Sequence, residues 1–155
     1  MRKAAKRSAR LRPVGHPEVV ILSEKNAQLY EPSGREVCIS ITGPKKQFPS
    51  LSDRFAAVLR LAFSDITEPM DHPDSVLFND GHAKEIVTFI GDWRDVNRIV
   101  IHCQAGLSRS PGVAMGLCEL FSWGAVPEEN YPLCNQWVRR ELVRVGRLLA
   151  EPPDR

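Results

Sequence analysis

The chain has 155 residues, 43% of them hydrophobic and 26% charged, with a formal net charge of +2 at pH 7. Such a composition suits one globular domain with a core of its own and excludes a chain that is polycationic throughout. No apolar run approaches the roughly 20 residues of a membrane helix, and the four cysteines include no Cys-x-x-Cys pair, which argues against a zinc site and a disulfide framework.

In chain order, the opening stretch MRKAAKRSARLR carries six basic side chains and no acid. It reads as a solvated arm over residues 1–15, ahead of a domain over 16–155, and as a candidate contact for nucleic acid or an acidic surface. It lacks the apolar core of a signal peptide, so a soluble, cytoplasmic protein is expected. EVVILS (Glu18–Ser23) reads as a strand, EKNAQLY as a short helix and EVCISIT (Glu36–Thr42) as a second strand. GPKKQFPSLSD is rich in turn formers and reads as loop. AAVLRLAF (Ala56–Phe63) is a third strand, followed by the proline-rich, acidic connection SDITEPMDHPDS. GHAKEIVTFIGDWRDV has apolar residues at helical spacing. RIVIHC is a fourth strand, apolar without alternation, as buried parallel strands are. Ser108 to Trp123 reads as a helix, with Gly124 placed to end it. NQWVRRELVRVGRLLA is a final amphipathic helix. Strands alternating with helices imply an α/β fold: a mainly parallel central sheet flanked by helices. Cys38 and Cys118 fall on apolar patterns and read as core, as do Trp93 and Trp137.

Cys103 stands apart, in RIVIHCQAGLSRSPGVAMG. In open α/β sheets, ligands bind beyond the carboxyl ends of strands. Gln104, Ala105, Gly106, Leu107 and Ser108 lie between such an end and a helix start, where unpaired N–H groups and the helix dipole suit an anion. Gly106 permits a backbone shape that other residues resist, and Pro111 falls in the first turn, where its missing N–H costs nothing. The same field lowers the pKa of a thiol at its focus. Arg109 adds a planar fork of donors suited to phosphate. Together these residues make a thiolate nucleophile beneath a bound oxyanion. They do so without a metal or cofactor, because arginine and backbone amides supply the electrostatics.

HCQAGLSRS resembles the His-Cys-five-residues-Arg-Ser signature of the cysteine-dependent protein tyrosine phosphatase superfamily, and is most similar to the loop of its dual-specificity phosphatases. The likeness extends from the strand near Ala56 to the last helix. It implies that Cys103 attacks phosphorus and forms a phosphocysteine, and that Arg109 and the N–H groups of the 104–109 loop hold the phosphoryl oxygens. It implies also that Ser110 helps the thiolate leave and that His102 supports the loop. Asn135 in NQWVRREL matches an asparagine that braces the loop in that family. The proline that often precedes it there is replaced by Cys134, with Pro132 displaced. The resemblance further implies an aspartic general acid on a mobile loop. Asp65, Asp71, Asp74 and Asp80 are the candidates. Asp65 in FSDI follows the third strand directly and is favoured, with the insert TEPMDHPD lengthening the connection to Cys103.

The expected function is therefore hydrolysis of phosphotyrosine, with phosphoserine and phosphothreonine as further substrates, on phosphoproteins. The loop interior QAGLS has no lysine, which weighs against polyanionic inositol phospholipids. The basic arm, with Lys45 and Lys46, keeps RNA 5′-phosphates open. Two other readings compete: a phosphopeptide-binding module without hydrolysis, and a rhodanese-like sulfurtransferase.

Overall fold

Four short, mainly apolar segments, three of them rich in β-branched residues, pair side by side in a computed structural model that describes residues 16–124 and 126–151. The strands are β1 (Glu18–Ser23), β2 (Glu36–Thr42), β3 (Ala57–Ala62) and β4 (Arg98–Cys103), in the order β1-β4-β2-β3. Every pairing is parallel. All four carboxyl ends therefore face one end of the sheet, and β4, placed between β1 and β2, delivers Cys103 to the middle of that end. The basic arm expected over 1–15 lies outside the described residues.

Alternation along the strands divides the interior into two layers. Ile39, Ile41, Ile99 and Ile101 join the larger core cluster, and Cys38 and Val100 the smaller one. The larger layer is covered by three helices, α2 (Asp80–Asp92), α3 (Arg109–Phe121) and α4 (Gln136–Ala150). The smaller is covered by the short helix α1 (Glu24–Leu29) and by the loop between β2 and β3, which brings in Leu51 and Phe55. Tyr30 stacks on Phe55 with ring centroids 5.9 Å apart. Its hydroxyl also donates to Glu36, whose buried carboxylate is paired with Arg98 at 3.2 Å. A buried carboxylate needs such partners, since an unpaired one costs several kcal/mol or more.

Residues Arg109 to Cys118 of α3 are buried without interruption, so the helix is wrapped on all sides. Its neighbour α4 comes very close: a Cβ added at Gly112 would stand 2.8 Å from the Asn135 carbonyl oxygen. A side chain there would push away the start of α4.

The chain-order expectations meet the structure with small shifts. The strands at Glu18–Ser23, Glu36–Thr42 and Arg98–Cys103 have the expected bounds, and the third is trimmed at both ends to Ala57–Ala62. One expectation is corrected. The helix after the motif is closed by Ser122, which adopts the left-handed conformation (φ 56°) and donates its N–H to the Cys118 carbonyl; Gly124 is not the terminator. Ser108 is the N-cap residue of that helix and lies outside it. No helix among the described residues is long and apolar enough to cross a membrane.

Candidate active site

A strand that ends at Cys103 and a helix that starts at Arg109 leave five residues to turn the chain, and the turn is tight. Gly106 carries the strain with φ at +74°, and a Cβ on it would lie 2.9 Å from the backbone of Leu22 and Ser23. Glycine is needed here for both reasons. The loop is also fastened to the end of β1, where the Glu24 N–H donates to the Gln104 carbonyl at 3.1 Å.

Inside the turn lies the thiol of Cys103, with Sγ 3.1 Å from the Ser110 hydroxyl. Burial opposes its ionisation. Hydrogen bonds from the Ser110 hydroxyl, the Ser110 N–H and the Gly106 N–H, helped by the Arg109 charge, outweigh burial and lower its pKa below the ordinary thiol value. The other cysteines go the opposite way. Burial pushes Cys38 up to about 12 and raises Cys118 and Cys134 as well. All four thiols are buried, so the loop environment, not exposure, distinguishes Cys103.

Arg109 is itself buried, and its guanidinium donates to the Phe63 carbonyl at 2.9 Å. That bond joins the helix start to the segment that carries Asp65. Asp65 Oδ1 accepts from the Ser108 hydroxyl at 2.7 Å and from Asn135 Nδ2 at 3.0 Å. Its other oxygen makes no hydrogen bond or ion pair among the described residues. Asn135 is used completely: its N–H donates to the Ser108 carbonyl, its Oδ1 caps α4 by accepting from the Val138 N–H, and Nδ2 also reaches the Ile66 carbonyl.

Beneath the loop, His102 points into the smaller layer, where Nε2 lies 2.6 Å from the Ser40 hydroxyl and Nδ1 lies 3.2 Å from the Cys103 carbonyl. A carbonyl can only accept, so Nδ1 carries the proton and Nε2 accepts from Ser40. Burial lowers the His102 pKa, the Cys103 carbonyl notwithstanding, and keeps the ring neutral.

The structure thus gathers Cys103, Gly106, Ser108, Arg109, Ser110, Asp65 and Asn135 at one point, with His102 as support. Gln104, Ala105 and Leu107 form the exposed outer wall of the loop. The other aspartates expected as candidates fall elsewhere. Asp74 is paired with Lys45 at 2.5 Å and Asp80 with Arg144 at 2.6 Å. Asp71 is exposed and makes no hydrogen bond or ion pair among the described residues. Among the described residues, no group of His, Cys, Asp or Glu side chains is arranged to hold a metal ion.

Sequence reasoning missed four contacts. Ser40 is the partner of His102; its signal was a polar residue between Ile39 and Ile41 of a buried strand. The Phe63 carbonyl leaves no sequence signature. Lys46 Nζ reaches Gln104 Oε1 at 3.5 Å while Lys45, with φ at +64°, turns to Asp74, so adjacent lysines tie the β2–β3 loop to two other loops.

No family model matches the chain, and no curated protein matches it. Among solved structures, the chain is similar to one described as "Crystal structure of Tk-PTP in the active form", at 22% identity over 88% of this chain and 93% of that one, with a TM-score of 0.46. A likeness of that size decides nothing about chemistry.

Proposed function

We propose that the chain hydrolyses phosphate monoesters on proteins, phosphotyrosine first and phosphoserine or phosphothreonine with it, through a phosphocysteine at Cys103. One observation carries the reading. An acidified thiol, an arginine fork and inward backbone N–H groups converge on one point, and a carboxyl group is held across the same loop. That is the arrangement needed for nucleophile, oxyanion binding and proton donor together.

In the first step Cys103 Sγ attacks phosphorus, an S–P bond forms and the bond to the leaving oxygen breaks. Asp65 gives that oxygen a proton. Arg109 and the loop N–H groups hold the three remaining oxygens as their charge shifts. In the second step water attacks phosphorus, Asp65 takes its proton and the S–P bond breaks. The Ser110 hydroxyl, already on Sγ, stabilises the departing thiolate.

The test is a panel of phosphotyrosine, phosphoserine and phosphothreonine peptides beside phosphoinositides and RNA 5′-phosphates, with release of inorganic phosphate as readout. Phosphotyrosine peptide should turn over fastest. In Arg109→Lys, turnover should fall strongly in a folded protein, since an ammonium cannot grip two oxygens at once. Tight peptide binding without phosphate release by the native chain would overturn hydrolysis, and sulfur transfer from thiosulfate would move the assignment to another enzyme class.

A further inference from the structure

A groove of about 650 Å³ opens between α3, α4 and the segment that joins them. Its floor is apolar: Met115 and Cys118 from α3, with Trp123 and Val126. Its rim is acidic. Glu119, Glu128 and Glu129 line it against a single guanidinium, that of Arg139. Arg139 is shared between Glu119 at 3.2 Å and Glu128 at 2.7 Å, Arg147 also reaches Glu119 at 3.7 Å from outside the groove, and Glu129 has no ion pair among the described residues. The groove therefore carries net negative charge over an apolar floor.

The described chain begins at the edge of this groove. β1 is parallel to β4, with Glu18 opposite Arg98 and Ser23 opposite Cys103. The start of β1 thus lies a strand length, about 20 Å, from the Cys103 end. The His16 ring lies beside Gly124, where an added Cβ would be 3.6 Å from His16 Cε1. Gly124 follows Trp123 of the floor directly. The fifteen residues before His16 hold six basic side chains and no acid. The part nearest His16 in sequence is ARLRPVG, in which Arg10 and Arg12 alternate with Leu11 and are followed by Pro13 and Val14. At about 3.3–3.6 Å per residue, those fifteen residues span far more than the groove.

We infer that the basic N-terminal arm of this same chain seats in that groove, with Leu11 and Val14 on the apolar floor and Arg10 and Arg12 against the glutamates. Three observations fit this occupant: opposite charge, an apolar-basic alternation matching an apolar floor under an acidic rim, and a chain exit at the rim. An intrachain partner also needs little affinity of its own, because a short tether supplies a high effective concentration. The seat is separate from the chemistry at Cys103 and stands whether or not that chemistry is hydrolysis.

Cys118 on the floor reports on it. In the full-length chain, N-ethylmaleimide labelling is followed residue by residue, with Cys38, buried in the other layer, as internal reference. The ratio of Cys118 to Cys38 labelling should rise several-fold in Arg10→Glu/Arg12→Glu and in Glu129→Arg. It should return toward the native value when the reversals are combined, because opposite charges again face each other. High salt should raise the ratio in the native chain, as screening weakens the contact. A ratio unchanged by reversal on either side would overturn the inference. Protection of Cys118 that grows with protein concentration would overturn it too, placing the arm of a second copy in the groove.

Discussion

Asn135 Nδ2 donates to Asp65 Oδ1 at 3.0 Å while the Asn135 Oδ1 caps α4 through the Val138 N–H. One amide therefore links the stability of the last helix to the position of the carboxyl group above the Cys103 loop. The two residues are far apart in sequence and meet only because Gly112 lets α4 close onto α3.

Asp65→Asn should cripple hydrolysis of phosphotyrosine peptide by about 10²–10⁴-fold, the usual contribution of a general acid. An activated aryl phosphate, whose leaving group needs no proton, should lose much less. The acid limb of the pH–rate profile should remain, because thiolate formation sets it. Equal losses on both substrates, or full peptide turnover in the variant, would remove Asp65 from the role.

Asn135→Ala removes a helix cap and a tether together. The cap is worth about 0.5–2 kcal/mol, which should appear as a lowered Tm. Turnover of peptide should fall more than turnover of the activated aryl phosphate, because the carboxyl group loses its hold. Asn135→Ser, which can still cap, should restore most of the Tm and little of the peptide turnover. If the two recover in parallel, Asn135 acts on α4 alone.

Cys103 should alkylate as an acidic thiol. Its folded pKa is lowered, so thiolate persists as pH falls below the ordinary value near 8.5. The stabilisation that this gives is present above the unfolded pKa and is lost as pH falls through the folded one. Iodoacetamide should therefore label Cys103 first near neutral pH, with inorganic phosphate protecting. Ser110→Ala should move the labelling profile to higher pH and slow the second chemical step, seen as a larger burst of leaving group. A profile identical to that of the native chain would show that the Ser110 hydroxyl does not stabilise the thiolate.

Gly106→Ala forces a side chain into a left-handed conformation, at roughly 1–2 kcal/mol, and into contact with the backbone of Leu22. The Gly106 N–H should then move off the Cys103 thiol. Expected results are a lower Tm and weaker protection of Cys103 by phosphate. Unaltered protection would mean that the loop tolerates a wider turn than its contacts with β1 imply.

Local features were legible where they rest on local rules. The apolar strands, the amphipathic helices and the strand–loop–helix around Cys103 all follow from residues within a few positions of each other. The parallel sheet could be read because strands alternate with helices along the chain and RIVIHC is apolar without alternation. What escaped depends on partners distant along the chain. Ser40 meets His102 only through the β2–β4 register. The Phe63 carbonyl, as backbone, has no residue identity to read. Gly124 looked like a helix terminator because glycine favours positive φ, yet Ser122 takes that conformation, between Phe121 and Trp123, whose rings stack 5.1 Å apart. Asp65, Asp71 and Asp74 could be ranked by sequence order, but their separation required the path of a proline-rich connection that sequence patterns do not specify.

The contact between Gly106 and the end of β1 also bears on how the chain folds. β1 is an edge strand that hydrogen-bonds to β4 across a long stretch of sequence. Because closing such a loop costs entropy before it returns any contact, pairings of this kind form slowly. The turn around Cys103 is pressed into shape by that strand, so its geometry is complete only after the most non-local pairing is made. During refolding, helical signal should recover before the thiol of Cys103 acquires its acidity, making Cys103 a clock for the last stage of assembly.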